Sequence, residues 1–91
     1  MMINKETFKL SIIIPCYNEK NTIKTIIQKV IDSLKYYDYK SYEIIVVDDC
    51  SIDGTKEILK KLENTEKLKL VFNEKNSGKG FAIKTALEFI E

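Results

Sequence analysis

The sequence contains no histidine, no arginine and no tryptophan among its 91 residues. Without histidine, every mechanism that requires an imidazole as a base or a metal ligand is excluded. All 15 basic residues are lysines and the net charge is only +1. The forked guanidinium group that recognises phosphates and guanine edges is therefore missing, and nucleic-acid binding is disfavoured.

Long apolar runs and cysteines are also scarce. The longest apolar runs, residues 12–14 and 44–47, are far too short to span a bilayer, and the N-terminus has no apolar core of a signal peptide. Only Cys16 and Cys50 carry thiols, and small packing roles suit them better than catalysis. We expect a cytoplasmic protein with reduced thiols and no membrane segment in this chain.

The composition is that of one small globular domain. With 44% hydrophobic and 32% charged residues, three glycines and one proline, the chain shows no low-complexity tract or linker. A domain of this size buries only about 60 to 65% of the surface that its unfolded chain exposes. We therefore expect a single domain over residues 1–91 with modest stability.

Three short apolar runs alternate with three segments of helical periodicity. Residues 10–14, 42–47 and 68–72 are predicted strands, and the first two are apolar throughout, as is typical of strands covered on both faces. Apolar residues recur at helical spacing over 21–36, from 53 or 54 onward, and from 77 to the end. Right-handed crossovers place such strands in the order 3-2-1. The sequence thus predicts an α/β fold with βαβαβα connectivity and a three-stranded parallel sheet.

A polar cluster follows each predicted strand: "PCYNE", "DDCSIDGT" and "NEKNSGKG". Strand carboxyl ends meet at one rim of a parallel sheet, which is where open α/β sheets bind ligands.

Two nucleotide-binding motifs are excluded. A P-loop requires a glycine where Asn73 stands and Ser or Thr where Gly80 stands. A dinucleotide-binding motif requires a third glycine where Ile83 stands.

Asp48 and Asp49 end the second predicted strand as adjacent like charges. Strand alternation turns them to opposite sides, so we expect different partners for each. Asp49, nearer the rim, is a candidate for accepting N–H groups of a nucleobase. Asp48 is a candidate for holding backbone amides or a lysine.

Three segments in order, "LSIIIPCYNEKNTI", "YEIIVVDDCSIDGT" and "NEKNSGKGFAIKTAL", resemble the beginning of the family 2 glycosyltransferases, which have a GT-A fold. The resemblance covers nearly the whole chain and is nearest to members that transfer a hexose to a polyprenyl phosphate, such as dolichyl-phosphate mannosyltransferase. It implies that the matching residues contact the base and ribose of a UDP- or GDP-sugar: Pro15, Tyr17, Glu19, Val47 and Asp49.

Structural alternatives stand beside these assignments. Tyr17 could cover the sheet edge, Glu19 could favour the dipole of the next helix, and Pro15 could simply end a strand. Lys79 suits a phosphate contact or a solvated helix start equally. The segment 53–55 favours turn and cap chemistry over ligand binding.

The chain departs from the family in two features, because the resemblance implies a D-x-D metal motif and a later acceptor region, with a catalytic base in inverting members, and we expect this chain to lack both. Members carry a D-x-D motif that holds a divalent metal against the diphosphate, but no aspartate follows Asp53 here. We therefore expect no catalytic residue and no metal site in this chain, with Mg²⁺ or Mn²⁺ in a full-length enzyme. The expectation is a truncated N-terminal portion of an enzyme, inactive alone.

Two other functions fit parts of the pattern. A non-catalytic assembly module could use the half-sheet to dock a partner chain. A phosphoacceptor receiver domain shares the acidic pair but would place it after the first strand, with an aspartate in place of Asn73. The first predicted strand would form a sheet edge without charge or proline before Pro15, so self-association or marginal folding is also expected.

Overall fold

A computed structural model describes residues 9–75 together with Lys84 and Leu87. In chain order the elements are β1 (Lys9–Cys16), α1 (Ile23–Tyr36), β2 (Ser41–Asp48), α2 (Thr55–Glu63) and β3 (Leu68–Phe72). The predicted third helix lies outside the described residues except for Lys84 and Leu87, which are both helical and exposed. Lys79 also lies outside them.

The three strands form one parallel sheet with β2 in the middle. Ile12 pairs with Ile44, and Val46 pairs with Leu70. The α/β class and the strand order predicted from the sequence are confirmed.

Helices α1 and α2 cover one face of the sheet. Their buried side chains form a single core with residues of alternate strand positions, comprising Ile14, Cys16, Ile23, Ile27, Ile31, Leu34, Ile44, Val46, Leu59 and Leu68. The intervening positions Ile45 and Val47 are fully buried on the other face, where Ile13 and Val71 pack against them. Burial on both faces explains why the β2 sequence is apolar without alternation.

Several element boundaries differ from the sequence prediction by one or two residues, since β1 and β2 are longer than predicted at both ends and α1 begins at Ile23. Strand β1 continues through Pro15, which pairs with Val47, so the reading of Pro15 as a strand terminator is wrong. Proline is tolerated here because β1 is an edge strand among the described residues, and an edge position has no need of every N–H. Helix α2 begins at Thr55, since Gly54 has a φ of 102°, which is not helical.

A cross-strand ion cluster lies on the face opposite α1 and α2. The Ser11 hydroxyl donates to Glu43 Oε1 at 2.7 Å, and Lys69 Nζ lies 2.9 Å from Glu43 Oε2. Lys9 Nζ is more distant, at 4.0 Å. The carboxylate of the central strand thus has a partner on each neighbouring strand.

Self-association of the 91-residue chain stays a prediction, based on the β1 edge. Within residues 9–75, β1 pairs only with β2, so its outer edge is a template for another strand.

We expect the weight-average mass in sedimentation equilibrium to rise above the monomer value with concentration. Ile13→Lys adds a charge to the edge strand at a side chain that packs against Ile45 and Val47, so it should restore the monomer under conditions in which circular dichroism shows the variant to be folded. Thr25→Lys, which adds the same charge on exposed α1, should not. A monomeric mass for the unaltered chain at every concentration would contradict the prediction.

Candidate functional site

The carboxyl ends of the three strands form the rim that the sequence predicted. The first rim loop, residues 17–22, follows β1, and the second rim loop, residues 49–54, follows β2. Asn73 follows β3 directly and donates its backbone N–H to the Asp48 carbonyl at 2.9 Å. The Asp49 N–H donates to the Cys16 carbonyl at the same distance. Backbone bonds therefore continue the sheet pairing into the rim and fix where each loop starts.

Asp48 has a structural role in this rim. Its side chain is fully buried, Oδ2 accepts the Ser51 N–H at 3.0 Å, and Oδ1 accepts the Ser51 hydroxyl. Cys16 Sγ also donates to Oδ1, at 3.6 Å. The expectation that Asp48 would hold a backbone amide is met by the Ser51 N–H.

Asp49 has a different partner, as strand alternation predicts. The residue is 4% exposed, and its Oδ1 accepts a hydrogen bond of 3.0 Å from the side-chain amide of Asn73. Asn73 thereby orients the Asp49 carboxylate from the neighbouring strand. The sequence did not identify this role, although an asparagine placed directly after a strand end was a signal for it.

Tyr17 and Glu19 lie in the first rim loop. Tyr17 is 39% exposed as a residue, and an aromatic residue exposed in this loop suits stacking on a base. Glu19 is half-buried, and its Oε2 accepts the Thr22 hydroxyl at 2.6 Å, while its carbonyl accepts the N–H groups of Thr22 and Ile23. Glu19 therefore organises the start of α1, and its binding role stays a prediction.

Pro15 and Val47 lie side by side in the sheet register, beneath the loops. Val47 is fully buried in the second core cluster and Pro15 is half-buried. The Val47 side chain has no exposed surface in this structure, so packing is its evident role. A contact between Val47 and a nucleotide would have to use main-chain atoms.

Hydrogen bonds that span more than thirty residues of sequence join the first rim loop to the second rim loop and to Thr55, the first residue of α2. Asn18 N–H donates to Ser51 Oγ at 2.8 Å, Glu19 N–H to Thr55 Oγ1 at 3.0 Å, and Lys20 N–H to Asp53 Oδ2 at 3.1 Å. In return, Ile52 N–H donates to Asn18 Oδ1 at 2.9 Å. The sequence prediction of turn and cap chemistry for residues 53–55 is therefore incomplete, since Asp53 and Thr55 also hold the other loop.

The carboxylates of the described rim do not form a metal centre. No three Asp, Glu or Cys side chains among the described residues gather as ligands for an ion. Asp48 accepts from Ser51, Asp49 from Asn73, and Asp53 from Thr55. The hydroxyl of Thr55, followed by the amides of Lys20 and Thr55, holds the pKa of Asp53 below its usual range.

Cys16 is predicted to resist thiol reagents in the folded chain. Burial, the neighbouring Asp48 charge and the hydrogen bond to Asp48 raise the pKa of its thiol to about 12, which lowers the thiolate fraction roughly a thousand-fold at neutral pH. Because this pKa is raised on folding, its contribution to stability is present below about pH 9 and is lost as the pH rises toward 12.

Reaction with Ellman's reagent at pH 8 checks this prediction. We expect one fast thiol in the native chain and two in guanidinium chloride. The fast thiol should disappear in Cys50→Ser and remain in Cys16→Ser. Rapid reaction of native Cys50→Ser would contradict it.

No helix of the described residues is long and apolar enough to cross a membrane.

The glycosyl transferase family 2 model matches residues 11–90. The putative teichuronic acid biosynthesis glycosyltransferase TuaG of Bacillus subtilis is 39% identical over 80 residues, which cover 87% of this chain and 30% of TuaG. The GalNAc(5)-diNAcBac-PP-undecaprenol beta-1,3-glucosyltransferase of Campylobacter jejuni is 36% identical over 67 residues, 72% of this chain and 20% of that protein.

Solved structures agree with these relatives. Staphylococcus aureus TarS 1-349 in complex with UDP has a TM-score of 0.73 at 37% identity, over 92% of this chain and 25% of that one. Mannosyltransferase PcManGT from Pyrobaculum calidifontis, in complex with GDP-Man and Mn²⁺, has a TM-score of 0.72 at 30% identity, over 93% and 26%. The chain thus spans less than a third of the length of these relatives. Because the family model matches residues 11–90 and the parallel sheet and its rim agree with that match, the chain belongs to glycosyl transferase family 2.

Proposed function

We propose that this chain is the N-terminal nucleotide-binding portion of a longer family 2 glycosyltransferase and that its rim binds a UDP- or GDP-sugar. The observation that carries the proposal is the rim itself, where Asp49 is oriented by Asn73 while Tyr17 is exposed on the neighbouring loop. The solved complexes of TarS with UDP and of PcManGT with GDP-Man support this proposal.

Each rim side chain has a role that suits its chemistry. Asp49 accepts N–H groups of uracil or guanine, because an ionised carboxylate is an acceptor only. Tyr17 packs its ring on the base. Glu19 accepts sugar hydroxyls, and Pro15 and Val47 form the floor beneath the loops. Lys79 is proposed as a phosphate contact.

The whole enzyme would transfer a hexose from the nucleotide sugar to an acceptor. The bond from the anomeric carbon to the diphosphate oxygen breaks, a bond to an acceptor oxygen forms, and the nucleoside diphosphate leaves with the electron pair of the broken bond. The PP-undecaprenol in the name of the Campylobacter relative supports an acceptor carried on a polyprenyl lipid, and the acceptor proposed for this enzyme is a polyprenyl phosphate. Mg²⁺ or Mn²⁺, as in the PcManGT complex, would neutralise the charge on the leaving diphosphate and would be held by residues other than the described rim.

The proposed location of the protein is the cytoplasm, because the thiols of Cys16 and Cys50 are free and the cytoplasm keeps thiols reduced. A non-catalytic assembly module is the alternative function, and the β1 edge, unpaired on its outer side within residues 9–75, favours it. Nucleotide binding distinguishes the two functions.

An NMR titration of the ¹⁵N-labelled chain with UDP and GDP tests the proposal. We expect weak binding that shifts the amides of Tyr17 and Asp49, because the base-contacting residues are present. Added Mn²⁺ should change the affinity little. CDP is the matched control, since cytosine lacks the N3–H of uracil and should bind less well than UDP. Absence of shifts around Tyr17 and Asp49 with both UDP and GDP would overturn the proposed site.

A further inference from the structure

Three consecutive backbone amides of the first rim loop donate to three side chains of the "SIDGT" segment. The amides of Asn18, Glu19 and Lys20 reach Ser51, Thr55 and Asp53 respectively. We call this set of six residues the loop clamp. The acceptors stand at every second position, 51, 53 and 55, and each belongs to a different side chain. The clamp therefore fixes the backbone on both sides of Glu19 and directly after Tyr17.

The two hydroxyl groups of the loop clamp are themselves oriented. Ser51 Oγ donates its proton to Asp48, and Thr55 Oγ1 donates its proton to Asp53. Each hydroxyl can then present only lone pairs to the amide that it accepts. Ser51 is 7% exposed and Thr55 is fully buried, so water is a poor substitute for either oxygen. Such carboxylate–hydroxyl–amide chains strengthen each bond by polarisation.

The backbone of Asn18 shows what the loop clamp imposes. Asn18 has a φ of 51°, in the left-handed region, and its N–H and the N–H of Glu19 donate to Ser51 and Thr55. Its own side chain accepts the Ile52 N–H. This conformation is stable because the hydrogen bonds on both sides of it offset its cost.

We propose that Ser51 and Thr55 are positioning residues that hold Tyr17 and Glu19 in the geometry needed to bind the nucleotide. The inference rests on the proposed function and extends it to residues that touch no ligand. A loop that is ordered before binding loses less conformational freedom when the nucleotide arrives. The loop clamp thus contributes to affinity through the first rim loop.

Thr55→Val tests the proposal, because valine keeps the shape of threonine without the oxygen. We expect hydrogen exchange at the Glu19 amide to accelerate and UDP or GDP binding to weaken about 3- to 10-fold, the range of one lost hydrogen bond. Thr55→Ser, which keeps the hydroxyl, should stay close to the unaltered chain in both measurements. Urea unfolding of each variant identifies conditions in which the protein remains folded.

A double-mutant cycle separates positioning from a general loss of stability. If Thr55 acts through the first rim loop, Thr55→Val should weaken binding much less when Glu19→Gln and Tyr17→Leu are already present. Combined with Asp49→Asn, which lies in the other loop and faces Asn73, its effect should be additive. Additivity in both backgrounds, or unchanged binding despite faster exchange at Glu19, would overturn the positioning role.

Ser51→Ala provides a second variant that removes the acceptor of the Asn18 amide. If Thr55→Val does not fold, Ser51→Ala tests the proposal in its place. We expect faster hydrogen exchange at the Asn18 amide and weaker binding of UDP or GDP. If the unaltered chain binds neither UDP nor GDP, the proposed function fails. The loop clamp is then judged by exchange alone, and unchanged exchange at Asn18 and Glu19 in both variants would overturn it.

Discussion

Asp49→Asn is expected to weaken binding of UDP or GDP about ten-fold or more. Loss of a hydrogen bond to a charged group costs about 1.5 to 3 kcal/mol. The amide oxygen of asparagine can still accept from Asn73, as Asp49 Oδ1 does now at 3.0 Å. The NH₂ group then takes the place of the second carboxylate oxygen and presents a donor to the N–H edge of the base.

The dissociation constants of both variants, Asp49→Asn and Asp48→Asn, measured by NMR titration on folded protein, check this expectation. Asp48→Asn is the matched control, because it makes the same chemical change one residue away at a side chain that faces Ser51. We expect a smaller effect on binding from the control. Equal effects, or a larger effect at Asp48 with the fold intact, would show that the wrong carboxylate was assigned to the base.

Asp48→Asn is expected to lower the free energy of unfolding by about 1.5 to 3 kcal/mol. Asp48 is fully buried and accepts from the Ser51 amide, the Ser51 hydroxyl and the Cys16 thiol. Asparagine has one acceptor oxygen for these three donors, so at least one buried donor loses its partner. For a domain of this size, such a loss is a large share of the total stability.

Urea unfolding followed by circular dichroism measures this effect. Asp32→Asn is a matched control, since Asp32 is exposed on α1 and accepts from Gln28 on the same helix. The control should change the unfolding free energy by only a few tenths of a kcal/mol. A loss at Asp48 no larger than the loss at Asp32 would contradict the structural role of Asp48.

The fold followed from the sequence because its signals are local. Apolar residues at every fourth position, such as Ile23, Ile27 and Ile31, predicted the α1 helix, and the structure buries all three on one face of it. The apolar β2 run predicted burial on both faces, and the structure has it. Boundaries were less predictable, since the start of α2 depends on the φ of Gly54, which composition alone does not specify.

The candidate site was predictable in place but only partly in detail. Strand alternation separated the partners of Asp48 and Asp49 correctly, because it depends only on adjacent positions. The bonds from Asn18 to Ser51 and from Asn73 to Asp49 join residues 33 and 24 positions apart. The position of Asn73 directly after a strand end is a local signal, but no local pattern specifies Asp49 as its partner or Ser51 as the partner of Asn18.

The ion cluster around Glu43 has a consequence for how the chain selects its strand alignment. If β2 slid by one position against its neighbours, Glu43 would move from the Ser11 and Lys69 face to the face covered by α1 and α2. A carboxylate placed there would lose both partners and enter an apolar layer, at a cost of several kcal/mol. Apolar β2 residues such as Ile44 and Ile45 could exchange faces with far less penalty. The partners of Glu43 therefore favour the observed alignment of β2 over one that is shifted by a single residue.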